Sequence, residues 1–312
     1  MSQSSKRILV TGGAGFVGTR FVTDLVEAGH DVHVVDDCSV GSPDRLPAGV
    51  TVDEVDVRSR ELEPALQSYD PHAIVHMAAI HYVPYCDEHP GETYDVNVLG
   101  TRTLLDAART LDTLETVVNV SSAAVYPPLD GPLSEDVRPG PMDPYGKSKL
   151  VGEELVNLFG ERTDVDTVSA RLFNVYGPGE TNPHLIPAIL DQLRDGSRTV
   201  ELGNLTPRRD YVHVRDVSRA LQRLVDHADD APPALNVGTG DAHSVRAVVE
   251  AVSLALGEDI EVTQDQERVR ASDRPHLQAD IERMSSVTGW TPTVGLVDGL
   301  AELLVMDGVE AT

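Results

Sequence analysis

Lysine is almost missing from this sequence. Lys6, Lys147 and Lys149 stand against 22 arginines, and all basic residues together number 25 against 51 acidic ones. The net charge of −26 disfavours non-specific binding to nucleic acid or to an anionic membrane. Cysteine is limited to Cys38 and Cys86, which have neither metal-ligand nor disulfide spacing, so a reduced cytoplasm is the expected setting. No apolar run approaches the roughly 18 residues that cross a bilayer, and no secretory pattern precedes ILVTGG. Aromatic residues make up only 4%. Excess acid with little lysine and few aromatics reads as the composition of a high-salt cytoplasm. The Debye length is about 3 Å at 1 M salt and about 10 Å at 0.1 M, so the acidic surface repels itself only in dilute buffer. Dialysis out of molar salt is therefore expected to unfold the protein, and an unchanged circular dichroism spectrum would remove this reading.

Of the 312 residues, 40% are apolar, enough for a core of ordinary size. RILV (7–10), DVHVVD (31–36), VTVDEVDV (50–57), AIVHMAA (73–79), TVVNVSS (116–122) and DTVSARLFNV (166–175) read as strands. Amphipathic segments such as 16–29 and 97–110 lie between them. This alternation predicts an α/β fold, a Rossmann-type doubly wound parallel sheet covered on both faces. After about residue 176 prolines punctuate loops, and helical stretches such as 244–257 follow. The expected division is a cofactor domain over 1–176, to which 213–238 can return, and a smaller α/β substrate-binding domain over 177–312.

VTGGAGFVG (10–18) falls between the first strand and the first helix. Gly13, Gly15 and Gly18 satisfy G-x-G-x-x-G, and Gly12, Gly15 and Gly18 satisfy G-x-x-G-x-x-G. Missing side chains let the backbone approach a pyrophosphate, and the helix N-terminus offers it unpaired N–H groups. Asp36 ends the second strand, 18 residues past Gly18. A carboxylate there accepts bonds from ribose hydroxyls and repels a 2′-phosphate, which selects NAD over NADP. Asp37, rather than an arginine, follows it. A glycine turn with a solvated acid is the plain alternative.

DPYGKSKL begins with Asp143 as N-cap and Pro144 as first helical residue. Tyr145 and Lys149 then share one helix face, a turn apart. A phenol with a pKa near 10 is a poor base at neutral pH, and an adjacent ammonium favours its phenolate. Lysine, a compact point charge, suits this task better than arginine's planar fork. Ser121 and Ser122 end a strand, where such folds place their ligands, and a serine hydroxyl there can share the proton of a substrate alcohol with Tyr145. Taken singly, each residue also reads as ordinary packing or capping.

Together these residues resemble the extended short-chain dehydrogenase/reductases, and within them the NAD-dependent nucleotide-sugar epimerases and dehydratases. TGGAGFVG, HMAA (76–79), NVLGT (97–101), SSAAVY (121–126), YGKSK (145–149), RLFNVYGPG (171–179), RRDYVHVRDV (208–217), NVGTG (236–240) and RASDRPHLQAD (270–280) carry the resemblance nearly end to end. It implies Tyr145, Lys149 and Ser122 as the catalytic set. For the dinucleotide it implies Gly12, Gly15, Phe16, Val17 and Gly18 in the loop, and Asp36, Asp37, Ser39 and Gly41 after the second strand. Asp56 and Val57 would hold the adenine, with Met77, Ala78, Ala79, Asn97, Ser121 and Phe173 completing the site. For the sugar nucleotide it implies Asn174, His184 and Leu185, with Arg209 and Arg270 on the diphosphate and Asp273 on a ribose. The gatekeeper position falls on Leu277. A homodimer through the helices near 97–110 and 145–160 is also implied.

The implied reaction is C4 epimerisation through a transient 4-keto sugar, of the UDP-glucose/UDP-galactose type or on a UDP-uronic acid or N-acetyl relative. Related 4,6-dehydratases carry Asp-Glu directly after the active-site hydroxyl. Here Ala123 and Ala124 follow Ser122, and neither moves a proton. A 4-keto reductase or dehydrogenase stays open, and a non-catalytic dinucleotide sensor is the alternative of a different class. The chain departs from the family pattern at Pro127 and Pro128 and in IHYVPYCDEHP (80–90), where His81 can bond a sugar oxygen or carboxylate. His76 reads as a buried strand histidine, and no metal-site spacing is present.

Overall fold

The computed structural model describes residues 5–265 and 274–309. Seven of the short β-branched runs form one sheet. Its spatial order is Ala234–Val237, Asp166–Leu172, Thr116–Ser122, Ala73–His76, Arg7–Thr11, Asp31–Asp36 and Thr51–Glu54, with every neighbouring pair parallel. Side chains alternate across it. Ile8, Val10, Ala73, Val75, Val118 and Val120 enter one core with helices Phe16–Glu27 and Val214–Asp226. Leu9, Ile74 and Val117 enter the opposite core, beneath helices Leu62–Tyr69, Gly100–Ala108 and Pro144–Gly160. Each fully buried Val, Leu or Phe contributes about 1.5–3 kcal/mol, so two-sided burial is what holds the sheet. The direction of chain progression reverses between Arg7–Thr11 and Ala73–His76, and a ligand crevice opens at the carboxyl ends of strands at such a point.

A second sheet is centred on strand Arg208–His213. It pairs antiparallel with Ala242–Ser244 and parallel with His276–Ala279, which in turn pairs with Pro132–Leu133. Helices Leu185–Arg194, Val245–Leu256 and Leu296–Met306 pack a separate core. The two sheets exchange chain. Pro132–Leu133 from the first half joins the smaller sheet, and Ala234–Val237 from the second half edges the larger one. No helix among the described residues is long and apolar enough to cross a membrane.

Several elements differ from their sequence pattern. The stretch 166–175 is two strands, because Asn174–Tyr176 leaves the large sheet to pair with Arg208–His213. The stretch 50–57 is a strand only over Thr51–Glu54. The helix expected over 97–110 begins with a wider π-type turn, Asp95–Leu99, before Gly100–Ala108. Helix Val245–Leu256 is closed at both ends as its sequence suggests. The Ser244 hydroxyl accepts from the Ala247 amide at 3.1 Å, and Gly257 sits at φ 77°.

Candidate active site

The glycine loop leaves the centre of the large sheet and enters helix Phe16–Glu27. Gly12 lies at φ +71°, and a Cβ there would meet the Ala78 amide nitrogen at 2.7 Å. Gly18 packs so closely that its Cβ would stand 2.3 Å from the Gly12 carbonyl oxygen. The loop is thus bare backbone at a helix N-terminus whose first turn carries no acid. Its first N–H groups have no intrahelical partner. Asp36 is buried beside it. One carboxylate oxygen accepts from the Ala14 amide and the other from the Cys38 amide, each at 2.9 Å. Each oxygen keeps a lone pair for a further donor. A cradle that side chains would fill, next to an acid at the second strand's end, fits a dinucleotide without a 2′-phosphate.

Across the crevice, helix Pro144–Gly160 starts as its sequence dictates, with Asp143 Oδ1 accepting from the Gly146 amide at 2.7 Å. Tyr145 is half-buried, with the Ser122 side chain close enough to favour its phenolate. Ser122 also caps the turn Ala123–Val125, accepting from the Ala124 amide at 3.1 Å. Burial pushes the Tyr145 phenol up to about 12, and the Ser122 side chain pulls the other way. Lys149 is buried, with Nζ 5.9 Å from the Tyr145 ring centroid, and donates to the Val120 carbonyl at 2.9 Å. Burial brings its ammonium down to about 8. The residues implied as catalytic therefore converge at the carboxyl end of strand Thr116–Ser122.

Two loops meet above them. His81 Nε2 lies 2.7 Å from the Asn182 amide nitrogen, and His184 Nδ1 lies 2.5 Å from the Glu180 carboxylate. His81 is exposed at the surface of the crevice, and desolvation by the surrounding loops, with His184 and Lys149 nearby, favours its neutral form. From the smaller sheet's side, Arg274 donates to the Tyr126 carbonyl at 2.8 Å and the Ala124 carbonyl at 3.0 Å. It also lies 3.5 Å from Asp143. One guanidinium thus holds both the turn after Ser122 and the cap of the tyrosine helix.

The sequence pattern of the NAD dependent epimerase/dehydratase family matches residues 8–238. The chain belongs to this family. It is 33% identical to the UDP-glucose 4-epimerase of Mycolicibacterium smegmatis over 306 residues, 95% of this chain and 96% of that one. The UDP-glucose 4-epimerase of Thermus thermophilus, solved in complex with NAD, superposes with TM-score 0.86 at 32% identity, covering 97% and 99% of the two chains. MoeE5, in complex with UDP-glucuronic acid and NAD, superposes with TM-score 0.82 at 34% identity, covering 95% and 97%.

Other positions implied by the epimerase/dehydratase resemblance spread around the crevice. Met77 and Ala78 follow the strand end beside Thr11, with amides donating to the Thr11 carbonyl at 3.0 Å and its hydroxyl at 3.3 Å. His76 beneath them is buried, bridges the Thr11 and Thr101 hydroxyls, and is pushed by burial down to about 3. Gly41 packs on Ala14, and the Ser39 hydroxyl donates to Asp37 at 2.6 Å. Asp56 is held by the Arg58 guanidinium, which keeps its carboxyl below the usual range, and Val57 is buried against Gly100. Asn97 is buried with its amide on Ile80 and on Ser148. Phe173 and Leu277 lie in one buried cluster with Ala123. His184 stands at the N-terminal boundary of helix Leu185–Arg194 without a side-chain bond to it, and Arg209 donates to the Arg208 and Arg274 carbonyls. Arg270 and Asp273 lie outside the described residues.

The motifs alone left four residues without a role. Arg274 lies within RASDRPHLQAD (270–280), where the resemblance gives roles only to Arg270, Asp273 and Leu277. Asp210, fully buried, accepts from the Thr239 amide and hydroxyl, the Gly240 amide and the Ala279 amide. It thereby joins three of the matching motifs. Glu153 and Arg171 form a buried ion pair behind the tyrosine helix.

Proposed function

We propose that this chain is an NAD-dependent epimerase that inverts C4 of a nucleoside-diphosphate sugar through a transient 4-keto intermediate. The observation that carries the reading is the convergence of Tyr145, Ser122 and Lys149 at the open end of the parallel strands, with proton-inert Ala123 and Ala124 where an elimination needs acid and base. Bound NAD supplies the acceptor and later donor of the C4 hydride. The Tyr145 phenolate takes the proton of the C4 hydroxyl and returns it once hydride has been delivered to the other face. The Ser122 hydroxyl bonds the same oxygens and holds them in line. Burial works against the phenolate, the Ser122 side chain offsets part of it, and an ammonium on the same helix face, Lys149 Nζ 5.9 Å from the ring centroid, favours the phenolate further.

Under this reading, 1–176 with 213–238 forms the cofactor lobe, and the remainder contributes the sugar-nucleotide lobe. The glycine loop with Phe16 and Val17 takes the pyrophosphate, and Asp36 the adenosine ribose. Arg209 lies on the sugar-nucleotide side, where a −26 protein needs local cations for a diphosphate. UDP-sugars are the expected class, given what the similar enzymes act on and bind. Self-association belongs to the proposal, since Leu99 and Leu158 stand exposed on the two helical segments concerned.

The test is incubation with UDP-, GDP- and dTDP-sugars in molar salt without added NAD. Products are identified by NMR, and the assembled species by sedimentation. Epimeric pairs at equilibrium are expected. A strict need for stoichiometric NAD or NADH would replace this reading with the dehydrogenase or reductase.

A further inference from the structure

We infer that Glu153, paired with Arg171, is a positioning residue for this reaction, a buried carboxylate that fixes the strand carrying Ser122 against the helix carrying Tyr145 and Lys149. The inference rests on the roles proposed above for those three side chains. Glu153 follows Lys149 by four residues and Tyr145 by eight, so all three share one helix face. It is 8% exposed and Arg171 is 6% exposed. The Ser121 hydroxyl donates to Glu153 Oε1 at 2.5 Å. Arg171 closes on both carboxylate oxygens, Nε to Oε1 at 2.9 Å and Nη2 to Oε2 at 2.7 Å. Ser121 and Arg171 are register partners on adjacent strands, so one carboxylate spans both.

One residue earlier, the Val120 carbonyl receives Lys149. Two consecutive strand residues are thus pinned by side chains one turn apart on a single helix. Arg171 carries the connection further, to the Tyr126 hydroxyl at 2.9 Å. That hydroxyl donates to Asn236 at 2.7 Å, whose amide reaches the Leu133 and Asp280 carbonyls.

Stability alone does not explain an ion pair here. Apolar residues of the same volume are often as stable in such a place, because desolvating two charges offsets most of their attraction. An apolar pair cannot fix the strand end in angle as a forked carboxylate does. Nor can it place a negative charge one turn behind Lys149. The groups facing that ammonium are Tyr145 and Glu153 on its own helix, Cys86 on helix Val83–Glu88, and His76 and His81 at and after strand Ala73–His76. Burial raises the Cys86 thiol and lowers the His76 imidazole, and desolvation by the surrounding loops lowers that of His81, so these three are uncharged near neutrality. Asp143, at the helix cap, acts on Tyr145 and is matched by Arg274. With the Cys86 thiol uncharged, Glu153, shared between Arg171 and Lys149, is the carboxylate that opposes the downward effect of burial on Lys149.

The experiment measures kcat and KM against pH for Glu153→Gln in the NAD-loaded enzyme, with melting temperature and cofactor content. The amide keeps the size and one acceptor for Arg171. The expected result is a kcat about tenfold lower near neutrality, KM within about twofold, and an alkaline limb displaced downward by about one pH unit. Glu153→Asp, which keeps the charge, should retain the limb. Ser121→Ala, which removes the tie and keeps the charge, should lower kcat with the limb unmoved. A Glu153→Gln enzyme that melts earlier but keeps its kcat and limb overturns the inference. Should that variant not fold, an unchanged kcat in a stable Ser121→Ala enzyme overturns it instead. Failure of the unaltered enzyme to convert any sugar nucleotide defeats the underlying reading, and this inference with it.

Discussion

Tyr145→Phe should reduce turnover by roughly a thousandfold or more while leaving NAD bound. General acid–base groups contribute about 10²–10⁴ in rate, and this phenol is the only group proposed to accept the sugar proton. The substitution removes one oxygen and keeps the ring. Ser122 retains its bond from the Ala124 amide, and Lys149 retains the Val120 carbonyl, so no buried polar group is stranded. The cofactor cradle lies on the other side of the crevice, in backbone that the ring does not build. Quantifying NAD released on denaturation, beside an NMR assay of the sugar nucleotide, separates the two effects. Residual turnover within tenfold of the parent would mean that another group takes the proton.

The other large effect is expected from a single methyl group. Gly18→Ala should yield protein without NAD and with a melting temperature lower by about 3–5 °C, if the clash costs about 2–3 kcal/mol in a chain of this size. The added carbon would sit 2.3 Å from the Gly12 carbonyl oxygen and 2.7 Å from Gly13 Cα. These are backbone atoms in a loop that packs on the strand ends, so no side chain can swing away. The helix must retreat, and the amides aimed at the pyrophosphate retreat with it. Gly29→Ala is the matched control, since nothing lies within 4 Å of a Cβ there and only its φ of +87° is strained. It should cost about 1 kcal/mol and keep the cofactor. Full NAD content and an unshifted melt in Gly18→Ala would mean that close approach is not what forms the cradle.

The parts of the site that the sequence made legible are those set by local spacing. A glycine loop between a strand and a helix, an acid at the next strand's end, and a tyrosine and lysine four apart each declare their geometry within a few residues. Tertiary partners decide the rest. Nothing within 166–175 says that the strand changes sheets at Phe173, since the change depends on Arg208–His213 far downstream. VTVDEVDV stops early because the Val55 amide turns back to the Asp36 and Asp53 carbonyls. KLVGEELV reads as a solvated helix face, and Glu153 looks like its neighbour Glu154. Only the register that brings Ser121 opposite Arg171 reveals that one of the two is buried. Asp210 looked like one acid among 51, and its four donors come from segments about 30 and 70 residues away.

The paired serines at the end of strand Thr116–Ser122 have a further consequence. Neighbours on a pleated strand point to opposite sides, so Ser121 and Ser122 are chemically identical and yet not interchangeable. One hydroxyl is committed to the carboxylate inside the protein, and the other lies beside the phenol at the crevice. Losing a single residue upstream within the strand would carry Ser122 into the place that faces the carboxylate and bring Ala123 opposite the phenol, without altering either serine. The arithmetic parity of that strand is as much a part of the catalyst as the residues at its tip.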